Sequence, residues 1–178
     1  MACDITKGML ELECKNAVSG YKAIYLANYD NYGMTASSTD AGHIITSLGS
    51  LSVVYKYELK NSGNTLAQTS ASSRDNGTTL YTQTLTFILT KIDKLKEYQV
   101  KMMIYGRPLV FVELNTGQVV LLGKDHGCEV SSTNGVGGTL DSLNGYTLTA
   151  VATEPEPIYY LESAAVTALN ALVSPATI

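Results

Sequence analysis

The chain has 178 residues, a formal net charge of −4 and a pI near 5.1, a length that suffices for one domain with its own core. Only 16% of residues are charged, against an ordinary figure of about 25%, and polarity comes instead from Ser, Thr and Asn beside 12 Tyr and 15 Gly. This composition argues against disorder, against wrapping nucleic acid, which needs clustered Lys and Arg, and against a membrane span, which needs about 18 consecutive apolar residues.

The start, Met1-Ala2-Cys3-Asp4, lacks the basic and apolar regions of a signal peptide, so no secretory leader is expected. The first clear element is a strand from Lys22 to Asn28, closed by the turn cluster Asp30-Asn31-Tyr32-Gly33. Residues 34–50 are small and polar with a few apolar positions and read as a long connection or a poorly marked strand. Val53, Tyr55, Tyr57 and Leu59 then alternate with Lys56, Glu58 and Lys60, the period of a half-buried strand.

Residues 61–77, NSGNTLAQTSASSRDNG, form the longest stretch poor in apolar side chains and read as a loop ordered by a partner. After it comes a long strand from Thr79 to Leu89. Tyr81, Leu85, Phe87 and Leu89 point one way with Gln83 as the exception, while Leu80, Thr82, Thr84, Thr86 and Ile88 point the other. A helix is predicted over about 91–105, capped by Thr90 and stopped at Gly106. Its expected core stripe is Ile92, Leu95, Tyr98 or Gln99, Met102 and Met103.

Residues 109–113 and 118–122 flank Leu114-Asn115-Thr116-Gly117 and read as a β-hairpin. Residues 133–145 are expected to be a Gly-rich loop; it lacks the GK[ST] and following helix of a phosphate cradle. The last strand of the domain is Tyr146 to Thr153, with Thr147 and Thr149 on its polar side. Two prolines at 155 and 157 end it, so the predicted division is a β domain over 1–157 and an extension over 158–178. That extension contains a short helix that docks on its own core or on a neighbour.

Cys3, Cys14 and Cys128 are too few, and odd in number, for a disulfide scaffold. Free thiols in a reducing cell are one reading, and a Cys3–Cys14 pair across adjacent strands is the other. His126 near Cys128 has no second ligand pair, so no metal is expected. His43 and His126 lie in no catalytic motif, and neither a nucleophile elbow nor a phosphate loop is present, so no enzyme, catalytic residue or cofactor is expected.

Four local pieces carry a resemblance. They are Thr6-Lys7-Gly8 with Cys14-Lys15 leading through Gly20 to the first strand; Ser73-Arg74-Asp75-Asn76-Gly77-Thr78-Thr79 running into the long strand; Tyr105-Gly106-Arg107-Pro108 closing the helix; and Leu121-Leu122-Gly123 with His126-Gly127-Cys128, followed by Leu143-Asn144-Gly145-Tyr146-Thr147-Leu148. In this order, over residues 1 to about 155, the chain resembles the tail-tube proteins of long-tailed bacteriophages. The resemblance implies an antiparallel β-sandwich or partial barrel with one flanking helix. It also implies subunits joined into rings, commonly of six, that stack into a hollow virion tube for DNA ejection.

On that basis the expected partners are copies of the same chain and other phage tail proteins. DNA passes the lumen without specific binding, no membrane is involved, and the place is the virion tail, assembled in the host cytoplasm. Asn61, Asn64, Gln68, Arg74 and Asp75 are the expected inter-ring residues. Thr82, Thr84 and Thr86 are the expected lumen-facing ones, polar without attracting phosphate. Another ring-forming virion part, such as a tail terminator or head-tail connector, and a glycan-binding β-sandwich are the alternatives.

Overall fold

The computed structural model describes residue 8 and residues 18–37, 43–59 and 63–175. Eleven strands among these residues fall into two sheets. The seven-stranded sheet combines β1 (Tyr21–Ala27), β2 (Thr35–Ala36), β3 (Ile44–Ser47), β4 (Tyr55–Glu58), β7 (Leu109–Leu114), β8 (Val119–Leu122) and β11 (Tyr159–Leu161) in the order β2-β3-β11-β8-β7-β1-β4. The four-stranded sheet contains β5 (Thr65–Ser73), β6 (Thr78–Thr90), β9 (Glu129–Val136) and β10 (Asn144–Glu154) in the order β5-β6-β10-β9. All pairings between these strands are antiparallel except β3 with β11, and the architecture is a mainly β sandwich.

Burial explains the two kinds of strand. β6 and β10 cover the core with one face only, so Leu85 and Phe87, and Tyr146, Leu148 and Ala150, are buried while the threonines between them are partly exposed. β7 and β8 are apolar on both sides, as LVFV and VVLL, because the large sheet is covered on both faces. Ile24, Val110, Val112, Val120 and Leu122 pack between the sheets against Leu85, Phe87 and Leu148. Tyr25, Phe111 and Leu121 pack on the opposite face, against Ala165 and Leu169 of α2 (Ser163–Ala171). The hairpin between β7 and β8 turns at Gly117, whose φ of +86° is a left-handed conformation suited to glycine.

Several expectations change. The stretch expected as a loop over 61–77 is mostly strand: Thr65 to Ser73 pairs residue for residue with Thr86 to Thr78. Only Arg74 to Gly77 form the turn, and Asn61 lies outside the described residues. Its Thr, Ser and Ala content shows little apolar alternation, yet Thr and other small side chains suit an edge strand with little to bury. The Gly-rich loop is shorter than expected, since residues 133–136 belong to β9 and the loop covers 137–143. After Pro157, β11 lies between β3 and β8 and α2 buries Ala165 and Leu169 in the same chain, so the short helix docks on its own core.

The helix α1 (Lys94–Tyr105) is capped by Asp93, whose Oδ2 accepts the Leu95 N–H at 3.0 Å, and not by Thr90, which ends β6. Gly106 stops it, donating its N–H to Met102 O at 3.0 Å. Of the stripe expected to face the core, Met103 does so and most of the rest faces outward. Val100 and Met103 are buried, whereas Ile92, Leu95, Tyr98 and Met102 are exposed. Cys3 and Cys14 lie outside the described residues.

Phe87 lies fully inside the core and Thr84 on the outer face of the same strand. Phe87→Ala is expected to cost about 3–5 kcal/mol of unfolding free energy, and Thr84→Ala within about 0.5 kcal/mol, both measured by urea denaturation.

Candidate assembly surfaces

The outer face of the four-stranded sheet is built from rows that the strand register places side by side. Thr65, Thr86, Thr149 and Ser131 form one row across all four strands. Ala67, Thr84, Val151 and Glu129 form the next, then Thr69, Thr82 and Thr153. In the other direction Ile88, Thr147 and Thr133 continue the pattern. Directly opposed residues in a ladder share a face, so these rows make one surface of hydroxyl and small apolar groups. Glu129 is its only charge, and it carries no Lys or Arg. Thr82, Thr84 and Thr86 therefore sit together on this face, as expected.

Both edges of that sheet are chemically bare. β5 and β9 are its terminal strands. β5 reads TLAQTSASS, with neither charge nor proline, and β9 reads EVSSTNGV, with one carboxylate at its start. Edge strands of soluble proteins usually carry lysine, proline or a bulge that blocks pairing with another chain. β5 has none of these devices among the described residues, and β9 carries neither lysine nor proline but is flanked by α1.

The β5–β6 hairpin also overhangs its sheet. β10 ends at Glu154 opposite Tyr81, while the hairpin continues through Ala71–Leu80, Ser72–Thr79 and Ser73–Thr78 to Arg74 and Asp75. The expected inter-ring residues thus divide into two groups. Arg74 and Asp75 occupy the exposed tip. Asn64 and Gln68 brace the base, where Asn64 Oδ1 accepts the Ile88 N–H at 3.1 Å and Gln68 Oε1 accepts the Ile158 N–H at 2.7 Å.

Beside the overhang lies a polar clasp that periodicity alone did not reveal. Gln83 and Glu154 are the buried polar side chains on the inner face. Gln83 Oε1 accepts the Gly123 N–H at 3.2 Å. Glu154 Oε1 accepts the N–H groups of Asp125 at 3.3 Å and His126 at 2.9 Å, and its Oε2 lies 3.0 Å from His126 Nδ1. Together they hold the 123–128 loop against the end of the sheet. Gly127 completes the loop with φ +75°, and a Cβ there would approach Arg107 O to 2.8 Å. The one sequence signal for this clasp was Gln83 interrupting an otherwise apolar face.

Cys128 follows the loop and is fully buried. Burial, reinforced by the negative charge of Glu154, pushes its thiol up to about 12. It therefore stays protonated and unreactive at neutral pH. Among the described residues no group of three His, Cys, Asp or Glu side chains is placed to hold a metal ion, and no helix is long and apolar enough to cross a membrane.

With this geometry in hand, comparisons with protein-family models, with curated proteins and with solved structures found no match.

Glu154→Ala leaves two loop amides without their acceptor and is expected to cost about 1–3 kcal/mol in urea unfolding, with Glu154→Gln costing less. In peptide mapping after thiol alkylation at pH 8, Cys128 is expected to stay unmodified in the native protein and to react fully once unfolded.

Proposed function

We propose that this chain is a structural subunit of a bacteriophage tail tube, self-assembling into stacked rings around a lumen through which DNA is ejected. One observation carries the reading: a four-stranded sheet whose outer face is hydroxyl-rich and free of cations, and whose two edge strands carry neither lysine nor proline. Joining β5 of one copy to β9 of the next removes every exposed ladder edge of this sheet once the ring closes. The resulting barrel wall turns its threonine face inward.

Such a lining suits passage of a polyanion. Phosphates are held by Lys and Arg with release of counterions, and a surface without them gives DNA nothing to bind. The Glu129 carboxylate, repeated around the ring, adds repulsion. Thr82, Thr84 and Thr86 are the luminal residues of this proposal. The overhanging hairpin with Arg74 and Asp75 is its arm toward the neighbouring ring, braced by Asn64 and Gln68, and Asn61 belongs to the same proposed contact.

Electron microscopy of the purified chain tests the reading directly. Hollow filaments of stacked rings are expected. Single rings that never stack point to a terminator or connector, and a stable monomer that binds glycans contradicts self-assembly. Replacing Thr82, Thr84 and Thr86 with Lys is expected to permit tube growth but slow DNA passage. Failure of those variants to assemble would show that the face is buried between copies.

A further inference from the structure

Among the described residues, the outward stripe of α1 is left exposed. Met102 and Tyr105 are exposed, Tyr105 by 75%, and with Tyr29, Tyr55, Arg107 and Pro108 they line a groove of about 370 Å³. Apolar and aromatic groups this exposed mark a contact surface on a protein whose core is otherwise well covered. The surroundings are basic. Arg107 lines the groove and Lys101 Nζ lies 5.4 Å from the Tyr105 ring centroid, whereas Lys91, at the other end of the helix, donates its N–H to Asn144 O.

A second apolar feature lies at the other end of the molecule. The loop between β9 and β10 carries Leu140, which is fully exposed, and Leu143, also exposed. Asp141 is the only charge in residues 137–143. The loop therefore presents an acidic apolar knob, and the groove a basic apolar socket.

Topology keeps the two apart in one copy. Pro108 O accepts the Cys128 N–H at 2.9 Å, so the groove sits where β9 begins, and the knob starts where β9 ends at Val136. Eight residues of strand span about 25 Å. A knob so far from its own socket can fill only the socket of another molecule. Repetition of such a head-to-tail contact between opposite ends builds a filament wherever its rotation does not close a ring.

We propose that the Leu140–Leu143 knob docks into the Met102–Tyr105–Arg107 groove of a second copy, forming the axial joint between successive rings. The contact rests on the stacked-ring reading above and names its chemistry: leucines against methionine and tyrosine, with Asp141 toward the basic helix. It joins the same two end faces that the overhanging β5–β6 hairpin spans, since that hairpin projects from the groove end.

A photoreactive benzophenone residue replacing Leu140 in the full chain tests the contact, with adducts mapped by mass spectrometry after irradiation of assembled protein. Intermolecular adducts at Met102 or Tyr105 are expected. Adducts elsewhere, or only within one chain, overturn the proposal. A Leu140→Asp, Leu143→Asp variant is expected to lose stacking and accumulate single rings, with its thermal midpoint unchanged. Unimpaired filaments from that variant overturn the joint and leave the tube reading standing, whereas a wild-type chain that never assembles overturns both.

Discussion

A β-strand at the edge of a sheet presents a row of backbone N–H and C=O groups that only water or another strand can satisfy. In this chain the constraint is concentrated in one small sheet. Its large companion buries both faces under α2 and the facing layer, and it ends in the short strands β2 and β4. The four-stranded sheet has one wet face and two edge strands without lysine or proline, nine and eight residues long, the second flanked by α1. The proposed ring follows from pairing these edges, and the neutral face then determines what can pass through it.

The low charge density fits that scheme. Charged side chains are costly to desolvate at contacts between copies, and interfaces are depleted of lysine and acids for that reason. Thr and Ser on the sheet face keep high strand propensity without that cost. Five of the 12 cations lie in residues 91–107, and none lies in the rows of the threonine face.

Much of the sandwich was legible in the residues. Strict alternation along β6 and β10 revealed both strands and the orientation of Thr82, Thr84 and Thr86, because only one face of that sheet is buried. The hairpin of β7 and β8 was legible from its Asn-Thr-Gly turn between apolar runs. β5 and β9 were not, because edge strands built of Thr, Ser, Ala and Asn have little apolar alternation to display. Amphipathic spacing located α1 but misassigned its faces, since periodicity shows that a stripe exists without showing whether it meets the chain's own core or another molecule. The clasp of Gln83 and Glu154 depends on residues 71 positions apart, a juxtaposition that only the folded sheet creates.

The central claim is that β5 pairs with a second copy, and amide hydrogen exchange across Thr65–Ser73 tests it most directly. Exchange is compared between dilute, unassembled protein and the assembled form, with the buried strands β7 and β8 as internal reference. The account predicts that amides of β5 and β9 become strongly protected on assembly while β7 and β8 change little. Unchanged exchange along β5 in a demonstrably assembled sample would contradict it.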